Sequence, residues 1–328
     1  IQRSSRHLQM YDPATKKLTH IATCFGTHHL MFAEDANNTL WTSGGGQVVG
    51  WLNRKMFEET GDEEKSQGWT ALIMDTNGNG RRDAYVEPDQ PVDPTKDKRF
   101  GAAFYSVAPA PDGAIWGSVL GYPGQVVRLV PGSNPPETAI AEVYEPPFND
   151  KVRPGFSPRG ADVDRNGVYW AALASGHLAS FDRRKCKGPL NGPTATGQHC
   201  PEGWTLYPEP VPQFKNVTDS GSAEASYYTW VDQFDTLGLG RNVPINTGNA
   251  AEALLALKDG KFVTMRVPYP LGFYTKWMDG RIDDPNAGWK GRGIWTTVST
   301  RAPFHMETGR GTTSKVMKFQ VRPDPLAR

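Results

Sequence analysis

Apolar and polar residues alternate with a period of two in short runs along this chain, and the runs follow one repeated plan. Three segments carry it most clearly: "HHLMFAEDANNTLWTSGGGQVVGW" (28–51), "YSVAPAPDGAIWGSVLGYPGQVVRLVP" (105–131) and "RGADVDRNGVYWAALASGHLASFD" (159–182). Each opens on a short alternating strand and turns at "DANN", "PDG" or "DRNG". An apolar pair ending in Trp41, Trp116 or Trp170 follows, then small residues, a Gly and another strand. Alternation with period two places successive side chains on opposite faces of a sheet. Asn/Asp-Gly turns supply the positive φ that tight hairpins require. Partial copies flank the three, at 7–22, 252–270 and 292–323.

Modules of this kind, recurring at roughly 45–75 residues, predict an all-β fold of radially repeated four-stranded sheets. The expectation is a β-propeller of five to seven blades, one domain over residues 1–328. The alternative is a β-sandwich with accidental hairpin similarity. Two stretches break the period and read as inter-blade insertions: 52–100, charged and turn-rich, and 183–250, which holds a Cys-bracketed loop and an aromatic run. Loops of that length are usually functional or disordered. Composition agrees with many turns, since 35 Gly and 27 Pro disfavour a helical bundle.

Charge excludes some partners. Lys plus Arg number 36 and Asp plus Glu 35, so no basic excess points to nucleic acid. No apolar run is long enough to span a bilayer as a helix. The chain opens at Ile1 without an initiator Met, so a leader and even a further N-terminal domain are expected upstream. Of three cysteines, Cys186 and Cys200 bracket the polar loop "KGPLNGPTATGQH". A bridge closing it is expected, and with it a periplasmic or secreted location. Cys24 is left over.

The stretch "DTNGNGRRD" fits D-x-[DN]-x-[DN]-G-x-x-D. Asp75, Asn77 and Asn79 alternate, Gly80 permits a sharp turn, the carbonyl of Arg81 is the expected backbone ligand, and Asp83 closes the set. Hard oxygen donors in this number suit Ca²⁺; the alternative is a plain Asn-Gly turn without metal. The EF-hand position for a closing Glu holds Val86, and Glu87 comes one residue late. The shorter loop resembles the calcium hairpins of integrin-type propellers.

The unit built from "H-x-apolar", a D/N-G turn, an apolar-Trp step and "G-x-apolar-x-x-apolar" resembles the streptogramin B lyase (virginiamycin B lyase-like) propellers, and more loosely the NHL and gluconolactonase-type ones. The lyase resemblance implies a metal-assisted elimination on one face of the ring, with Mg²⁺ held partly by Glu and a His taking a proton. Candidate parts are His28 and His29, Tyr105 and Arg159, which begin the inner strands of their units. His305 and Glu307 in "PFHMETG" stand two apart, in the reverse of the lyase order. A neutral imidazole beside a carboxylate is a workable general base. The alternatives are a solvated pair at His305 and Glu307, and one packed plus one exposed histidine at 28–29.

Two readings of function follow. One is an extracytoplasmic, calcium-binding propeller that docks a protein or glycan on its loop-rich face, or serves as a subunit of a larger assembly. The other is a metal-dependent lyase or hydrolase, with His29 or His305 as base and Arg159 and Glu307 in the same site.

Overall fold

The polar turns of the repeat close through their own aspartates. Asp35 Oδ1 accepts from the N–H groups of Asn37 (3.1 Å) and Thr39 (2.9 Å), and Asp164 Oδ1 from those of Asn166 (2.8 Å) and Val168 (2.9 Å). Gly113 and Gly167 sit at φ of 82° and 78°, where a residue with a Cβ would be strained. Each turn therefore reverses the chain in the space of a few residues, and the flanking alternating runs pair.

A computed structural model of the chain describes residues 6–147, 154–268, 271–280, 293–298 and 315–320. They form two compact units: Ile1–Glu145 with Lys185–Glu202, and Pro146–Arg184 with Gly203–Arg328.

In the first unit, β1 (His7–Asp12) and β2 (Lys17–Ala22) pair as a hairpin. β3 (Leu30–Phe32), β4 (Thr39–Gly46), β5 (Val48–Asn53) and, after helix α1 (Arg54–Thr60), β6 (Gln67–Ala71) make an up-and-down antiparallel sheet in chain order. α1 is capped by Asn53, whose side chain accepts from the N–H of Met56, and ends on left-handed Gly61. The chain then leaves the sheet as a small arm: β7 (Ile73–Met74), β8 (Tyr85–Val86) and β9 (Asp97–Arg99). The next sheet is β10 (Ala108–Pro109), β11 (Ile115–Val119), β12 (Gln125–Val130) and β13 (Ile140–Tyr144). The arm extends it beyond its fourth strand, in the order β10-β11-β12-β13-β7-β9-β8, with Met74 paired in parallel to Ala141.

In the second unit, β14 (Pro158–Val163), β15 (Tyr169–Leu173), β16 (His177–Phe181) and β17 (Trp204–Pro208) form one four-stranded sheet. β18 (Thr229–Asp232), β19 (Val243–Gly248), β20 (Ala253–Lys258) and β21 (Lys261–Arg266) form the next. β22 (Thr275–Asp279), β23 (Ile294–Val298) and β24 (Lys315–Phe319) form a third. Within 183–250, then, β17, β18 and β19 are sheet strands, and residues 183–203, 209–228 and 233–242 connect them outside the sheets.

Burial follows strand position. β11, β16 and β19 are buried along their whole length, so both faces of those strands are covered. β21, an edge strand, is largely exposed. The repeated tryptophans tie strands of one sheet together: Trp41 lies 5.4 Å from Trp51 on the next strand, and Trp116 stacks on Tyr144 at 6.2 Å and Trp170 on Tyr207 at 6.1 Å, each across the strand between. Such aromatic pairs add about 0.5–1.5 kcal/mol beyond the area they bury. Among the described residues no helix is long and apolar enough to cross a membrane.

Cys186 and Cys200 are bridged, with Cα atoms 4.9 Å apart, and Cys24 is free and exposed. The closed loop docks on its own unit. Gly192 N–H donates to the carbonyl of Asp75 (2.7 Å), Glu145 N–H to the carbonyl of Gly197 (2.7 Å), and His199 lies 5.1 Å from Tyr144. Replacing both cysteines by Ser is expected to cost about 3 kcal/mol, the loop-closure value for this span. Urea midpoints of the oxidised protein and the double variant would measure it, and equal midpoints would show that the loop is held by its contacts alone.

Candidate functional site

The arm carries the "DTNGNGRRD" loop. Asp75, buried at the end of β7, holds the loop through its carboxylate. Oδ1 accepts from Gly78 N–H (2.7 Å) and Asn79 N–H (3.1 Å), and Oδ2 from Gly80 N–H (2.9 Å). Gly78 and Gly80 have φ of 77° and 80°, which lets the backbone curl round that carboxylate. Asn77 and Asn79 turn their amide nitrogens toward Asp83, which also meets Arg81 at 3.3 Å. These hydrogen bonds, first from Asn79 and then from Asn77, hold the Asp83 carboxyl below its ordinary range.

Beneath the loop lies a carboxylate that the sequence reading passed over. Asp97 in β9 is fully buried; its Oδ2 accepts from Asp83 N–H (2.7 Å), and its Oδ1 has no hydrogen-bond partner. Burial raises its pKa, and the charges of Asp75 and Asp83 add to the rise. Three acids therefore share one neighbourhood, with an unmet oxygen among them. Among the described residues no group of three or more His, Cys, Asp or Glu side chains is drawn together closely enough to be a ready metal centre. The donors of this loop are instead mixed: carboxylates, amides and a carbonyl. The signal for Asp97 was present in "KDK". On a strand, outward-facing Lys96 and Lys98 turn the residue between them inward.

His28, His29 and Tyr105 come together in the same unit. The two imidazoles are 4.5 Å apart at a near-right angle, and Tyr105 lies 5.1 Å from His28 and 4.8 Å from His29. His28 is exposed and its Nδ1 is 3.3 Å from the carbonyl of Tyr105. His29 is buried, and its N–H donates to Ser43 Oγ (2.8 Å).

Arg159 belongs to the second unit, where it anchors a different cluster. Its guanidinium lies 4.6 Å from the ring of Tyr227 and donates to the carbonyl of Ser226 (3.1 Å). Lys276 Nζ is 4.9 Å from the same ring, and Tyr274 packs at 6.2 Å. Under this platform Glu209 is buried. Its Oε1 accepts from Ser226 Oγ (2.5 Å) and Asn246 Nδ2 (2.8 Å), while Oε2 has no partner. Burial, opposed in part by those bonds, pushes its carboxyl up to about 8, so it is an acid, not an anion, at neutral pH. Nothing in "LYPEPVP" marks Glu209, since its burial comes from the packing of the sheets around it. His305 and Glu307 lie outside the described residues.

No protein-family model and no curated protein matches this sequence. Solved structures do resemble it. A streptogramin B lyase is similar over 99% of this chain and 79% of its own, at 11% identity and a TM-score of 0.50. A catalytically inactive virginiamycin B lyase from Staphylococcus aureus with quinupristin is similar over 98% of this chain and 75% of its own, at 12% identity and a TM-score of 0.47. At such identities the likeness concerns fold alone. With six sheets of up-and-down strands among the described residues, the chain has the β-propeller fold.

Proposed function

We propose that this chain is a calcium-ordered β-propeller that serves as an extracytoplasmic binding module. The observation that carries the reading is the unmet Oδ1 of buried Asp97 beside Asp75 and Asp83. The charge of Arg82 reaches Asp97 without an ion pair; a buried carboxylate oxygen left without a partner is costly, and a divalent cation held by Asp75, Asn77, Asn79, the carbonyl of Arg81 and Asp83 would supply one. Asp97 extends that donor set beyond the loop itself. The bound ion would offset two of the three carboxylate charges and fix the arm on β13; the ligand groups saturate it, so no chemistry is assigned to it. The Cys186–Cys200 bridge favours an oxidising compartment.

Thermal unfolding in excess Ca²⁺ and in EDTA tests the reading. Ligand at a hundred times its Kd stabilises by about 2.7 kcal/mol, so the midpoint is expected to rise with Ca²⁺ and fall on chelation. Identical curves, with no Tb³⁺ luminescence displaced by Ca²⁺, would remove calcium from the account.

The second reading is a metal-dependent lyase or hydrolase with His29 as base and Mg²⁺ as cofactor. The packed His28–His29–Tyr105 triplet favours it. A Mg²⁺ titration that leaves the His29 ring resonances unmoved in NMR spectra would count against it.

A further inference from the structure

β6 ends its sheet, and a cleft of 490 Å³ runs along it. All five β6 residues line the cleft, and Arg82 and Tyr85 of the arm face them. The polarity of the strand edge follows from its register. Asn53 N–H donates to the carbonyl of Ser66 (2.7 Å), and each step along β5 and β6 keeps the pairing. Alternation in an antiparallel ladder then turns the N–H and C=O groups of Gln67, Trp69 and Ala71 away from β5; Ala71 is buried and its carbonyl accepts from Thr70 Oγ1 (3.1 Å), so Gln67 and Trp69 offer the open groups. Trp69 is 48% exposed and Tyr85 39%, which leaves an aromatic surface on each wall.

Two charged residues line the cleft, Glu64 beside the start of β6 and Arg82 on the arm, and Arg82 is the group that would take an acid. Its Nη1 donates to Thr70 Oγ1 (3.1 Å) and to the carbonyl of Pro135 (3.3 Å), and its guanidinium lies 5.8 Å from the ring of Tyr85. Both hydrogen-bond acceptors are neutral, and among the described residues Arg82 makes no ion pair. The charge of Asp97 acts on it from a distance but is not paired with it, and a guanidinium with no carboxylate in direct contact is a site for one, because a carboxylate meets its planar fork with two parallel bonds.

We infer that the cleft takes an extended peptide segment, which adds to β6 as a fifth strand and sets an acidic side chain against Arg82. Main-chain hydrogen bonds to a free edge give such binding its affinity, and side-chain pockets give it specificity. A glycan would use the aromatic walls but not the row of N–H and C=O groups. The inference rests on the binding-module reading, and it stands without calcium.

Cys24 lines the cleft, is exposed and is the chain's one free thiol, so its reaction with a disulfide reagent reports occupancy. The probe is acetyl-Thr-Val-Thr-Val-Glu-Val-Thr-amide, compared with the same peptide carrying Gln for Glu and with tetragalacturonate. The acidic peptide is expected to slow Cys24 modification saturably, with the Gln peptide about tenfold weaker, the equivalent of about 1.4 kcal/mol. Arg82→Gln should erase that difference, and Trp69→Ala should weaken both peptides. Trp69→Ala alone decides the matter if the Arg82 variant does not fold. Equal protection by the two peptides, no protection by either, or stronger protection by tetragalacturonate overturns the inference. Repeating the titration in EDTA separates the two ideas: protection that persists on chelation supports the peptide site and tells against a calcium-ordered arm.

Discussion

Between pH 6.5 and 8 the fold is expected to lose about 2 kcal/mol of stability, and Glu209→Gln is expected to abolish most of that loss. The folded chain holds a proton on Glu209 up to about pH 8, whereas the unfolded chain releases it near the ordinary glutamate value. Wherever the native state binds the extra proton, stability falls as pH rises, by about 1.4 kcal/mol per unit. Burial also raises the Glu224 carboxyl, which adds in the same sense. His177 acts oppositely at lower pH. Its imidazole, buried and lowered to about 4, makes the unfolded state the better proton binder up to its ordinary value, so stability gains there offset the Glu209 loss. The interval above pH 6.5 therefore isolates the carboxyl. Gln keeps an acceptor for Ser226 and Asn246 and carries no charge. Urea midpoints for the two proteins at pH 6.5, 7.25 and 8 give the slopes, and parallel slopes would mean that Glu209 ionises in the fold as it does in water.

Asp75→Ala is expected to destabilise the arm by about 3 kcal/mol, the scale of hydrogen bonds to a charged group. It removes one acceptor for three N–H donors at once, from Gly78, Asn79 and Gly80. Hydrogen exchange should show the loss over residues 72–100, where β7 and β9 lose protection while β10–β12 keep theirs. The variant should also melt identically in Ca²⁺ and EDTA. Protection unchanged across the arm would show that pairing to β13, not the Asp75 carboxylate, holds it.

The repeat was legible because its signals are local. Alternation, the Asp-closed turns and the recurring Trp are written within 25 residues, and β3–β5, β10–β12 and β14–β16 fall where those signals lie. The Cys186–Cys200 pairing was legible for the same reason, since the two cysteines stand only 14 positions apart around a Gly- and Pro-rich loop. Partnerships between distant segments were not. Asp97 has only a weak local mark, the lysines on either side of it, and its full burial comes from the return of β9 against β7. Arg82 is an unspecified position of the loop pattern, yet the packing of the arm beside β6 carries it into a cleft. Glu209 and Lys276 are brought to Tyr227 by consecutive sheets, a distance that no motif spans. His28, His29 and Tyr105 lie between these cases: their place at the start of inner strands was visible, but not their mutual contact.

The bond from Gly192 N–H to the carbonyl of Asp75 ties a covalently closed ring to the residue that anchors the acidic knuckle. Were the sulfur link cut by a thiol, that knuckle would lose its brace; were the knuckle to slacken, the ring would lose its seat. With an ion in the proposed site, reductant and chelator would pull on a single hinge pin from opposite ends, and varying one in an assay would move the response to the other.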